Sequence, residues 1–347
     1  INSCPSITTE AWDQLYSSLV LNLTMKWTRA VVAVAFAGLT TWEVTAEDIT
    51  VNPDDSIQDA LDDVQPGDTI ILAAGEYFED FVTKVDGMAD APITIRGPWD
   101  YDPEDPLTHA IIRGKDGGRV FQLRHDYYIL EHFIFDGKLG ETSSTYSDIL
   151  LYIHGNRDYR KLKGGPIKHK YKSAVDHVIV RNMVFMHAGG ECIRLRYFVT
   201  HTEIYQNHIE DCGIFAYVTN PDSGSKNGEG IYIGTSNKQW DDGKNPTDDV
   251  DKCYYNLVYD NFFNTMGNEA VDIKEGSSYN YIERNECMGQ LDEESGGINS
   301  RGNYNFFGNN IVTESRGAGV RLGGATVGSD EYGKGNVVSG VQASGKF

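Results

Sequence analysis

Between Glu269 and Gly323 one motif is written three times: EAVDIKEGSSYNYIERN, then GGINSRGNYNFFGNN, then GAGVRLGG. Asn285 and Asn309 follow Asn261 at intervals of 24 residues, and each closes a short strand-like run beside Gly-rich turns. A fixed period of this length marks a solenoid, in which each repeat is one coil that buries its apolar face only against its neighbours. Side chains alternate along a strand, so Val271 and Ile273 point to the core while Asp272 and Lys274 point out. The same phase sends Ile298, Val320 and Leu322 inward, and Asn299, Arg301 and Arg321 outward. Stacked coils therefore bring Asp272, Lys274, Asn299, Arg301 and Arg321 together on one outer face, which reads as solvated.

Upstream the same grammar continues. PITIRG, AIIRG, YYILEHFIFDG, HVIVRNMVF and TEIYQNHI are short β-branched or aromatic runs bounded by Gly, Asp or Asn, and they read as successive coil strands. Helical periodicity is confined to one place. Ile57, Ala60, Leu61 and Val64 form a stripe after Ser56, with Pro66-Gly67-Asp68 as the stop, and such a helix would cap the open end of the first coil. A β-sandwich could use similar strands, but coils of 22 to 27 residues with recurring Asn and Gly point to an all-β, right-handed parallel β-helix. Two polar stretches, 137–173 and 219–251, break the period and read as long loops walling one side of the column. Asn261, Asn280, Asn285, Asn305 and Asn309 read as turn residues whose amides hydrogen-bond coil to coil.

The ends are organised differently. Met25, Lys26 and Arg29 open a segment that continues with the apolar AVVAVAFAGL and a small-residue site at Val44 and Ala46, a secretory signal over residues 25–46. Its apolar run is too short to span a membrane. Residues 1–24 read as upstream or fragment sequence, carrying a glycosylation triplet at Asn22-Leu23-Thr24. Residues 47–347 then form one β-helix domain, exported and monomeric, whose last coil has no evident polar cap and reads as truncated. The formal net charge of -21 disfavours nucleic acid and anionic membranes, and makes the outward Lys and Arg cluster exceptional. Cys192, Cys212, Cys253 and Cys287 fit no zinc spacing; export permits disulfides, and buried thiols fit equally well. His187, His201 and His208 show no ligand spacing and read as surface or core positions. Phosphate loops, nucleophile elbows and HExxH are absent from the sequence.

SIQDALDDVQPGDTIILAAGEY followed by APITIRG resembles the opening of β-helix polysaccharide lyases, particularly the alginate lyase and chondroitinase B family, and more loosely the β-helix pectate lyases. The resemblance returns in EAVDIKEGSSYNYIERN, SRGNYNFFGNN and GAGVRLGG. In such lyases a Lys on one coil acts as base and an Arg on the next assists, which by motif position implies Lys274 and Arg301. The family also holds calcium through acidic residues just before the Lys, and Glu269 is the matching carboxylate. Two positions depart from the pattern: Arg301 is followed by Gly302 where the family commonly has His, and Gly267 stands where a second acidic ligand is expected. Asp272 could substitute as a ligand, and Glu229, like Glu269, precedes an inward apolar residue by two.

The implied reaction is β-elimination on a uronate-containing polysaccharide. The proton at C5 is barely acidic, so a catalyst must neutralise the adjacent carboxylate and place a base within hydrogen-bond reach. Lys274 serves as that base only if its pKa falls by roughly 2 to 3 pH units from ~10.4. Arg301 and Arg321 would push it down, Asp272 up. Arg194 and Arg196 share the outward phase two coils earlier and would extend a sugar groove, with Tyr232 and Asn299 also facing it. Two further readings stay open: a glycoside hydrolase, which would need two carboxylates about 5 to 9.5 Å apart across a cleft, and a non-catalytic glycan-binding β-helix.

Overall fold

The structure, a computed structural model, describes residues 46–99, 108–155, 174–223, 226–241 and 250–345. The secretory-signal reading of 25–46 and the reading of 1–24 lie almost wholly outside these residues. Among the described residues no helix is long and apolar enough to cross a membrane.

Three parallel sheets of ten, nine and eight strands run the length of the fold, and in each the strand order follows the chain order. That topology arises when every coil adds one strand to each sheet, and the result is a right-handed parallel β-helix. Register explains the core. In the ten-stranded sheet Ile70, Ile95, Leu130, Val180, Ile204, Val258, Ile282 and Phe307 lie directly over one another. All are fully buried, so each coil supplies the apolar roof of the one below.

The predicted cap is the helix Ile57–Asp63, with Ser56 accepting the Asp59 amide at 3.1 Å. Glu79 adds a second cap, accepting from Ser56 Oγ at 2.7 Å and the Ile57 amide at 2.8 Å. Ile57, Leu61 and Val64 join the same core as Val51 and Ile70. At the far end the strands Val337–Ser339 and Gln342–Gly345 are exposed.

The asparagine ladders are present, with one correction. Asn207, Asn261, Asn285 and Asn310 form one column, and Asn256, Asn280 and Asn305 another; each side-chain amide oxygen accepts both the backbone N–H and the Nδ2 of the Asn one coil before it, at 2.9–3.1 Å. Asn309 is outside the column. The last step spans 25 residues, so Asn310 takes the buried place and Asn309 moves to the exposed left-handed corner at φ 51°.

Both stretches read as loops contain strands. Ile149–His154 is a buried six-residue strand and Ile231–Ile233 a buried three-residue one, both in the eight-stranded sheet. Polar flanks conceal them in the sequence, and ILLYIH, buried along its whole length, shows no alternation. Cys192 and Cys212 form a disulfide, while Cys253 and Cys287 are buried thiols in the core.

Candidate active site

The eight-stranded sheet carries the site. Its register aligns Gln122, Tyr152, Arg194, Tyr232, Asp272, Asn299 and Arg321 in one outward row across seven coils. One step outward along the strand direction, Arg196, Lys274 and Arg301 continue a second row: the Lys274 amide donates to Ile233 O at 2.9 Å and the Arg301 amide to Ile273 O at 2.8 Å. Every predicted site residue thus lies in, or immediately beside, one groove.

The groove is not the solvated face expected. Asp272, Asn299 and Tyr232 are buried, and Lys274 is 8% exposed. Walls account for this. After Ile231–Ile233 the chain turns through Asn237–Gln239 to Trp240, whose indole N–H donates to Thr235 O at 3.0 Å and whose ring meets Tyr332 edge-on at 5.7 Å. Gln239 accepts from Arg196 at 3.2 Å and Glu275 accepts the Asn237 amide at 3.2 Å, tying this wall to the floor. Gly234, at φ 86°, lies beside Lys274; a Cβ there would come within 2.2 Å of Ser277 Oγ.

Beneath the cations lies a buried acidic centre. Glu229, Glu269 and Asp272 each present an oxygen within 4.8 Å of the others. Ser295 donates to one oxygen of Glu269, while Glu269 Oε2 is buried without a hydrogen-bond partner, as is Glu191 Oε2 nearby. Asn299 Nδ2 donates to Asp272 at 2.7 Å, and the Gly228 amide to Glu229 at 3.0 Å. Burial and the neighbouring carboxylates push Glu229 up to about 7 and Glu269 up to about 8. Crowding and burial of this kind favour the neutral, protonated form of a carboxyl group.

Lys274 donates to Asp272, stands 4.0 Å from Glu229 and lies over the Tyr232 ring at 4.3 Å. Burial pulls its pKa down, but Asp272, Tyr232 and Glu229 outweigh it, so the ammonium is held above its ordinary value. Of the opposed pushes expected on Lys274, that of Asp272 prevails: Arg301 does push the pKa down, but it is paired with Glu275 at 3.3 Å and its effect is the smaller. Arg321 reaches Asn299 at 3.4 Å. Arg194 pairs with Glu191 and, with Arg196, packs over the far face of Tyr232 at 4.9 and 5.4 Å.

Reasoning from sequence missed the groove's other half. Arg119 lies over Tyr152 at 4.2 Å, Tyr152 stacks on His154 at 4.2 Å, and Arg124 donates to His154 Nε2 at 3.1 Å. Burial, followed by the surrounding arginines, holds His154 well below the usual imidazole range, hence neutral. The available signal was the alternation of Gln122 with Arg124 and Tyr152 with His154 in the same phase as Arg194 with Arg196.

No family model matches the chain, and no curated protein matches it in sequence. Among solved structures, an alginate lyase from Paenibacillus sp. str. FPU-7 superposes with a TM-score of 0.59 at 20% identity, covering 77% of this chain and 76% of that one. A pectate lyase, Pel9A, gives 0.47 at 13% identity over 87% and 77%. By its sheet order and this likeness the chain is a right-handed parallel β-helix, the fold of the Paenibacillus alginate lyase.

Proposed function

We propose that the groove cleaves a uronate-containing polysaccharide by β-elimination. The observation that carries this reading is the juxtaposition of Lys274 and Arg301, on adjacent coils, with the buried carboxylates Glu229, Glu269 and Asp272. The three carboxylates offer only hard oxygen donors, and the unpartnered Glu269 Oε2 is an open ligand position, a donor set suited to calcium. A bound calcium would neutralise the acidic cluster and help to offset the charge of the sugar carboxylate.

The chain's own residues supply the rest. Arg301 and Arg321 present planar donor forks to the uronate carboxylate. Lys274 must first give its ammonium proton to water, which requires Asp272 to turn away from it; the neutral Nζ then takes the C5 proton, the C5–H electrons form the C4=C5 double bond as the C4–O4 bond breaks, and the departing O4 takes a proton from solvent. Arg301 stabilises the charge that develops on the departing oxygen. Arg194 holds a sugar unit on one side of the scissile bond, with buried Tyr232 and Arg196 packed against it as support, and Asn299 fixes Asp272. Export fits the substrate, and both the signal-like segment 25–46 and the Cys192–Cys212 disulfide support an oxidising destination.

The test is ultraviolet absorbance of the unsaturated product on alginate, pectate and glycosaminoglycans, with calcium and with chelator. Absorbance on one substrate class that is abolished by Lys274→Ala supports the proposal. No absorbance on any anionic glycan in calcium would sink it. The hydrolase reading is weaker because the clustered carboxylates lie within 4.8 Å of one another, buried and engaged by Lys274, Ser295 and Asn299 rather than facing across a cleft.

A further inference from the structure

Away from the groove, at a corner of the coils, six aromatic residues stack in one column: Tyr127, His177, His201, Tyr255, Tyr279 and Tyr304. Successive ring centroids are 5.0–5.5 Å apart and the planes diverge by no more than 19°. All six have left-handed backbones with φ between 49° and 58°, so the corner geometry is the same in every coil. Four coils place Tyr there, and two adjacent coils place His.

Those two imidazoles share one carboxylate. The register Val175↔Val199 and Asp176↔Thr200 sets VDH over VTH. Asp176 Oδ2 meets His177 Nδ1 at 2.7 Å, and Oδ1 meets His201 Nδ1 at 2.8 Å. Thr200 Oγ1 donates to Oδ1 at 2.6 Å and fixes the carboxylate, while Asp126 accepts the Asp176 amide at 3.0 Å and fixes the backbone beneath it. The three donor atoms lie within 4.8 Å of one another. Both histidine side chains are about half exposed, at 50% and 49%, which leaves an approach for an ion and room for water on it.

We propose that Asp176, His177 and His201 form a surface site for a zinc-class divalent ion, separate from the groove. Two imidazoles and one carboxylate are borderline donors that suit zinc, cobalt or nickel over calcium and magnesium. Binding moves the Nδ1 protons onto solvent-facing Nε2 or into water, and the half-exposed rings tilt together to reach metal–nitrogen distances of about 2.0–2.1 Å. Water completes the coordination. The ion staples two consecutive coils at their corner, and the chain's net charge of -21 raises the local cation concentration.

The column supplies its own control. Tyr occupies the equivalent corner in four other coils, so His177→Tyr and His201→Tyr keep the stack and remove only the ligands. The full chain, held in excess calcium to fill oxygen-only sites, is titrated with cobalt followed by visible absorption and with zinc followed by calorimetry. The wild type takes up one ion per chain with the intense visible bands of low-coordinate cobalt, and zinc raises its melting midpoint. Each single variant weakens binding by about tenfold or more, and the double variant loses the bands and the midpoint shift while melting normally without metal. Equal uptake by wild type and the double Tyr variant, or none by the wild type, would overturn the assignment. Retained β-elimination in the double variant is expected whether or not the groove's substrate has been identified correctly, which keeps the two proposals independent.

Discussion

Glu229 and Glu269 make the acidic centre measurable without any substrate. In the unfolded chain both carboxyls titrate near 4.5, whereas in the fold they are pushed up to about 7 and about 8 by burial and by neighbouring carboxylates. A group whose folded pKa is raised contributes stability in full below its unfolded pKa and loses it as pH rises through the folded one. The informative window is pH 6.5 to 9, above the range in which the depressed imidazoles of His132 and His154 act in the opposite sense. Across it, Glu269 forfeits about 2 kcal/mol and Glu229 just under ~1 kcal/mol, since each pH unit of difference corresponds to about 1.4 kcal/mol. The calcium-free protein should therefore lose about 3 kcal/mol between pH 6.5 and 9, a fall in melting midpoint of about 4 °C for a chain of this size. Calcium at the ionised cluster, as proposed above, should flatten that slope. Glu269→Gln, which keeps the shape and removes the charge, should remove most of the slope and weaken the calcium response. The assay is thermal melting in chelator and in calcium at half-unit pH steps. A midpoint in chelator that is flat or rises from pH 6.5 to 9, or a Glu269→Gln slope equal to wild type, would refute the reasoning.

Lys274→Ala should lower elimination by about 10²–10⁴-fold, and Arg301→Ala by about 10²-fold or more; initial rates by ultraviolet absorbance check both, with melting curves to show the fold intact. Asn280→Ala removes an amide whose oxygen accepts from Asn256 N and Nδ2 and whose Nδ2 donates to Cys253 O and Asn305, at 2.9–3.1 Å in full burial. It should cost about 3 kcal/mol or more through unpaired buried groups, read by denaturant unfolding. Asn309→Gly, at the exposed left-handed corner, should cost less than ~1 kcal/mol in the same assay.

The coil period was legible because it is enforced by contact. Val271, Ile298 and Val320 lie over one another, so their alternation with Asp272, Asn299 and Arg321 survives in the sequence as a pattern. Burial of the outward row was not legible. Lys274 packs against Asp272, Glu229 and Tyr232, and the last two lie in a segment whose polarity reads as loop. The sign of its pKa shift stayed open for the same reason: sequence places Asp272 and two arginines near Lys274 with opposite pushes, and the folded contacts decide between them, with Asp272 bonded to Lys274 and Arg301 paired with Glu275. The one-residue shift from Asn309 to Asn310 shows how a strict period misleads where a coil lengthens by a single residue.

Recurrence separates the roles of outward positions in this fold. The Asn columns and the corner tyrosines repeat because each side chain's partner is its counterpart one coil away, so a change must keep the amide in the first and a flat ring in the second. The row Gln122, Tyr152, Arg194, Tyr232, Asp272, Asn299 and Arg321 occupies equally regular backbone, yet no two adjacent coils carry the same residue there. Coil-to-coil packing of like on like does not select five residue types at seven equivalent positions, and the proposed polymer lying across the coils would. The same argument singles out His177 and His201. Tyr satisfies that corner in four coils, and replacing it twice in succession beside Asp176 gains nothing for stacking, whereas it creates a three-donor site that a tyrosine column lacks.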